Sequence, residues 1–157
     1  EVFSLPVGDL EPFLDRKRYS AFAMSQLQLP SFLGEVLRKA NDFVPSMAGS
    51  ILMDRPVERG DTPSDTNLYF VAAFGPSGSA LLGKSLRADR GVVGQVYRTG
   101  KSLIVPDTSR DPHFFQEVDE TGSRTVRRLL CILIDMNRLV NAIKLRCRNR
   151  HPLCRDI

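Results

Sequence analysis

Residues 91–114 read GVVGQVYRTGKSLIVPDTSRDPHF, and this stretch decides the fold. Gly91 frees the chain to turn into a helix whose apolar face is Val92, Val93 and Val96, while Gly94 lets the helix backbone approach a sheet closely. Gly100 supplies the left-handed residue that stops the helix. Leu103 to Val105 then make a short strand, ended by Pro106, which has no N–H to give to a ladder. Asp107 and Asp111 are close enough in sequence to suggest an acid–base pair. One follows a strand and the other precedes a proline, however, and both read as turn formers.

Working outward, LPSFLGEVLRKANDFVP (29–45) predicts a helix entered at Pro30 and Ser31, with Phe32, Leu33, Val36, Leu37 and Ala40 at helical spacing. GSILMD (49–54) predicts a strand, and RPVERGDTPSDT (55–66) a turn-rich connection to an antiparallel neighbour. NLYFVAAFG (67–75) predicts a central strand with Leu68, Phe70 and Ala72 on one face and Tyr69, Val71 and Ala73 on the other. PSGSALLGKSLRAD (76–89) reads as an extended loop or short edge strand, and FFQEVDETGSRTVR (114–127) as polar and partly helical. RLLCILID and RLVNAIKLRCR, joined around Asp135-Met136-Asn137, read as a hairpin. Residues 1–29, broken by Pro6 and Gly8, read as a loosely helical connector ahead of a domain spanning 30–157. The order of elements gives an α+β fold, a central antiparallel β-sheet with helices on both faces.

Composition sets the class. A chain of 157 residues, 42% hydrophobic and 25% charged, suits one globular core. No apolar run approaches the roughly 20 residues that span a bilayer. Three cysteines without a CxxC pair point to reducing conditions, and the start at Glu1, without a leader pattern, to a piece of a longer cytoplasmic protein. Nine Arg or Lys stand against Asp135 and Asp156 in residues 124–157, so this end carries +7 of a net +4 and leaves −3 for the rest. Lys144, Arg146, Arg148 and Arg150 alternate with Ile143, Leu145 and Cys147, as a strand with one wet face requires. No aromatic is interleaved to stack on bases, so nucleic acid is not the expected partner of this end.

The run SLRADRGVVGQVYRTGKSLIVPDTSRDPHF, followed by TVRRLLCILI and RLVNAIKLRCRNR, resembles the GAF domain, a small-molecule-binding sensory module of phosphodiesterases, phytochromes, sensor kinases and transcriptional activators. The likeness covers about residue 30 to the C-terminus. It implies a GAF/PAS-like sheet, with the Gly91 helix and the loop after Val105-Pro106-Asp107 covering a pocket floored by that sheet. Leu133 and Asn141 depart from the family's usual proline and glycine, and the chain stops where the family's last helix would begin. The resemblance further implies a regulatory domain that binds a small molecule of unknown identity, a homodimer, and an attached output domain. A ligand-free dimerisation or scaffolding module is the alternative.

On that resemblance the candidate ligand-binding residues are Phe74 on the floor, Val92 and Val96 on the helix, Ile104, His113 and Phe114 on the covering loop, and Cys131 and Ile143 on neighbouring strands. His113 would titrate near neutral pH as a ligand contact, but a lone His reads more readily as a surface loop histidine. Cys147, His151 and Cys154, with Cys131 as a fourth ligand, have the look of half a zinc site, but no second closely spaced pair exists and no metal is expected. The Cys-His dipeptide of bilin-binding GAF domains is absent, and GVVGQ lacks the cysteine expected of GAF-type methionine sulfoxide reductases. Asn149 and Asp156 only echo the Asn-Lys-Phe-Asp-Glu signature of cyclic-nucleotide binders. The residues assemble no catalytic set, so the chain is read as not an enzyme.

Overall fold

Alternating apolar residues in residues 46–54 and 67–74 build the centre of the sheet, since side chains two apart share a face. The computed structural model of the chain describes residues 1–13, 29–114, 128–136 and 139–147. Its strands are β1 (Val2–Ser4), β2 (Ser46–Asp54), β3 (Asn67–Phe74), β4 (Ser85–Arg87), β5 (Leu103–Val105), β6 (Leu129–Met136) and β7 (Leu139–Cys147). They form one seven-stranded sheet in the order β1-β3-β2-β7-β6-β5, with β4 also on β3. Every pairing is antiparallel, including the β6–β7 hairpin in which Met136 faces Leu139. The helices are α1 (Val7–Leu10), α2 (Leu29–Phe43), α3 (Gly78–Leu81) and α4 (Gly91–Thr99).

Each face of the sheet has its own core. On one, α2 lays Leu33 and Leu37 against Ile51, Met53, Val71 and Ala72. On the other, α4 lays Val92, Val93 and Val96 against Leu52, Leu68, Phe70, Val105, Leu129 and Cys131. Full burial of a Leu or Phe side chain contributes about 1.5–3 kcal/mol, so both helices are held by packing more than by propensity. The α2-to-β2 turn is pinned by the Asn41 side-chain Oδ1, which accepts from Ser46 N–H at 2.8 Å, and by the Ser46 hydroxyl donating to Val44 O at 2.6 Å.

The alternation expected along β3 fails at one residue. Ile51 pairs with Ala72 but Leu52 pairs with Phe70, so Val71 is an extra residue, a β-bulge. Leu68 and Phe70 face α4, whereas Val71 and Ala72 both belong to the α2-side core. Phe74, two residues beyond Ala72, therefore packs on the α2 side as well. The Val71 carbonyl accepts from Leu5 N–H at 2.9 Å, while Phe70 exchanges hydrogen bonds with Gly83 and Lys84.

Reading residues 1–29 as a connector is corrected for residues 1–13. Strand β1 pairs with Ala72–Phe74 at the edge of β3, and Leu10 and Phe13 are fully buried in the α2-side core. The short stretch 76–89 contains the helical turn α3 as well as the edge strand β4. The readings made for residues 14–28, 115–127 and 148–157, which include Phe115, His151 and Cys154, lie outside the described residues.

Candidate functional site

Helix α4 is the wall of the candidate site, and its glycines set its position. Gly91 opens it at φ +69° and Gly100 closes it at φ +67°, donating its N–H to Val96 O at 2.9 Å. A Cβ at Gly94 would lie 2.8 Å from Ala88 O and 2.9 Å from Asp89 C, so only glycine lets α4 sit this close to the chain before it. Val105 and Leu129 face each other across β5 and β6, so the chain leaves the sheet after Val105 and rejoins it at the same cross-strand pair. The described part of that excursion, 106–114, folds back until Phe114 packs against the α4-side core.

Val92, Val96, Phe114 and Cys131 thus meet in one cluster. Phe74 does not join it, for the bulge turns its side chain to the other face. Ile104 does not join it either: it pairs with Leu130, which packs on the α2-side core, and at the sheet edge it is left 41% exposed. His113 is exposed, its backbone N–H bonded to Asp111 Oδ1 at 2.8 Å. Ile143 pairs with Ile51 and Ile132 in the ladder, and its side chain lies outside the described residues. Asp107 and Asp111 make turns: Asp107 Oδ1 accepts from Ser109 N–H and Oγ at 3.1 and 2.6 Å.

A polar node closes one end of the cluster. Asp54, the last residue of β2, is fully buried, and its Oδ2 accepts from the Tyr97 hydroxyl at 2.8 Å and from Arg59 Nε at 2.6 Å. Asp54 Oδ1 is buried without a hydrogen-bond partner among the described residues. Burial, and then the bond to Asp54, pushes the Tyr97 hydroxyl well above its ordinary range, so Tyr97 stays protonated and can donate to Asp54. Burial alone pushes the Cys131 thiol up to about 12, which keeps it protonated and a weak nucleophile. The sequence reading missed Asp54, Arg59 and Tyr97. Its available signal was the buried-strand position of Asp54 among apolar neighbours, since an acid there requires a partner.

On the opposite face a groove of about 900 Å³ runs between α2 and the start of β2, with Ser31, Arg38, Asn41, Met47 and Phe74 among its lining residues. Arg38 pairs with Glu35 on α2 at 3.3 Å. Among the described residues no group of three or more His, Cys, Asp or Glu is placed to hold a metal ion, and no helix is long and apolar enough to cross a membrane.

A sheet flanked by α2 and α4 in this order is the GAF fold, and the solved structures agree. The GAF domain of the Acinetobacter phosphoenolpyruvate-protein phosphotransferase superposes with TM-score 0.56 at 15% identity, over 77% of this chain and 69% of that one. The free methionine-R-sulfoxide reductase of Neisseria meningitidis, solved with its substrate, gives 0.52 at 19% identity, over 72% of this chain and 59% of that one. The NreA protein of Staphylococcus aureus, mutated in its nitrate binding site, gives 0.53 at 17% identity, over 73% and 82%. No family model matches the chain. The chain thus spans under two thirds of the length of the Neisseria enzyme.

The reading of the chain as not an enzyme is corrected by this comparison, because the fold it adopts is also the fold of free methionine-R-sulfoxide reductases. Neither the turn-forming roles of Asp107 and Asp111 nor the absence of a thiol within GVVGQ separates a binding module from an enzyme.

Proposed function

We propose that the chain is a sensory GAF-fold domain that binds a small molecule against the α4 face of the sheet and biases the conformation of an attached output domain. The observation that carries this reading is the excursion of the chain between the paired residues Val105 and Leu129, whose described part returns Phe114 to the cluster formed by Val92, Val96 and Cys131. Long connections inside a domain are commonly binding loops. Val92, Val96, Phe114 and Cys131 line the proposed site, with His113 at its rim. A ligand acts as a signal only by binding one arrangement of this region better than another. GAF-fold proteins with a nitrate site and with a bound substrate supply the first probes.

The test is hydrogen exchange across residues 103–114 with nitrate, free methionine sulfoxide and cyclic nucleotides added singly. Protection of this segment by one of them supports the reading, and a flat response to all three removes its support.

A second reading is favoured by α2, which leaves Phe32 49% and Phe43 74% exposed. Such apolar side chains suit an association face, and a homodimer held through α2 is the expected assembly. A cytoplasmic location accords with the cysteine usage. Sedimentation of the chain and of a Phe32→Ser, Phe43→Ser variant tests the assembly: a dimer that the variant dissolves supports it, and a monomeric parent chain contradicts it.

A further inference from the structure

The residues Asp54-Arg55-Pro56-Val57-Glu58-Arg59 carry two oppositely ordered charge pairs, one nested in the other. The outer pair joins Arg59 Nε to Asp54 Oδ2 at 2.6 Å, and the inner pair joins Arg55 Nη1 to Glu58 Oε1 at 2.8 Å. Neighbouring residues of an extended chain point to opposite faces, and here the two pairs lie on opposite sides of the sheet. Asp54 meets Tyr97 of α4, while Arg55 stacks on Tyr69 and Phe13, 4.2 and 5.1 Å from their ring centroids. Glu58 also accepts from the Tyr69 hydroxyl at 2.9 Å, and Phe13 meets Tyr69 edge-on with centroids 5.5 Å apart.

We infer that this turn is a cross-sheet clamp, tying the position of α4 on one face to residues 2–13 on the other. The two nodes share one short rigid piece of backbone. Pro56 fixes its own φ, and the turn is closed by Glu58 N–H donating to Arg55 O at 2.9 Å. A rotation of α4 that displaces Tyr97 pulls on Asp54 and Arg59, and each is peptide-bonded to a member of the inner pair, Asp54 to Arg55 and Arg59 to Glu58. The inner ion pair is part-exposed and weak by itself. The cation stacked on two rings and the buried carboxylate are what make the clamp stiff. Phe13 is its far end, fully buried and joined through residues 5–10 to β1 at the sheet edge.

The clamp becomes a signalling route only where the ligand reading above holds, but its test needs no ligand, so the two fail separately. The measurement is native-state hydrogen exchange at Leu5, whose N–H bonds Val71 O, and Leu10, whose N–H bonds Pro6 O. The chain is compared with Tyr97→Phe and with Val105→Ala, a buried change in the same α4-side core that removes no polar group of the clamp. With each variant referred to its own global unfolding free energy, Tyr97→Phe lowers protection at these amides about fivefold or more beyond Val105→Ala, the low end of measured couplings between sites. In a background of Arg55→Lys, which keeps the charge but weakens the stacking, the extra loss from Tyr97→Phe disappears. Equal losses in Tyr97→Phe and Val105→Ala, or an unchanged extra loss in the Arg55→Lys background, overturn the clamp.

Discussion

Tyr97 on α4 donates its hydroxyl to Asp54 at the end of β2 over 2.8 Å, joining residues 43 positions apart. The bond and that from Arg59 both fall on Oδ2 of a fully buried carboxylate, whose Oδ1 has no partner among the described residues. Removing a partner of a buried acceptor costs more than making the bond returned, because the acceptor stays desolvated. Tyr97→Phe is therefore expected to destabilise the chain by about 1–3 kcal/mol in urea unfolding with an unchanged m-value.

Two glycines are expected to respond to alanine with opposite signs. Gly34 lies inside α2, where a Cβ would make an ordinary 3.7 Å contact with Val2 Cγ1, so Gly34→Ala stabilises by about 0.5–1 kcal/mol. Gly94→Ala forces a Cβ to 2.8 Å from Ala88 O and costs about 1–3 kcal/mol. Thermal unfolding of the two variants reads both signs.

Residues 1–13 are expected to be part of the folding unit. Phe13→Ala empties a fully buried site and costs about 3–5 kcal/mol, and a chain beginning at residue 30 loses β1, Leu10 and Phe13 together. If the shortened chain unfolds at the same urea midpoint as the whole, these residues contribute nothing to the core.

Stability is expected to fall at both ends of the pH scale for named reasons. The bonds from Arg55 and then Tyr69 hold Glu58 below its ordinary 4.5, so its contribution is present above that value and fades as pH falls through the lowered one. Glu58→Gln flattens this acid limb. Burial raises Cys131 from 9.0 to about 12, so its contribution is full below pH 9.0 and is lost as pH rises toward about 12. In a Cys147→Ser, Cys154→Ser background, Cys131 reacts with a thiol reagent at neutral pH only at the rate of global opening, and Cys131→Val flattens the alkaline limb.

The elements built on long periodic runs were legible in the sequence. The spacing of Leu33, Val36 and Leu37 gave α2, the glycines of 91–100 gave α4, and two apolar runs around residue 136 gave the β6–β7 hairpin. The face of each residue was less legible. A bulge at Val71 leaves no mark in the apolar run FVAAF, yet it reverses the alternation and sends Phe74 to the α2 side. Ile104 follows its partner Leu130 to the same side, a consequence of register that residues 103–105 alone do not contain. Strand β1 has three residues, too few to show a period, and lies beside Pro6 and Gly8. The Asp54–Tyr97 bond spans β3, β4 and most of α4, so no local pattern announces it.

The most direct test of the α4 face as the ligand site is residue-resolved hydrogen exchange of the free chain against the chain saturated with nitrate, free methionine sulfoxide or a cyclic nucleotide. The account predicts that protection rises at 92–97 and 103–114 and stays unchanged at Met47 and Phe74, which border the groove on the other face. Protection confined to Met47, Phe74 and the α2 residues Ser31 to Asn41, or absent everywhere, would contradict it.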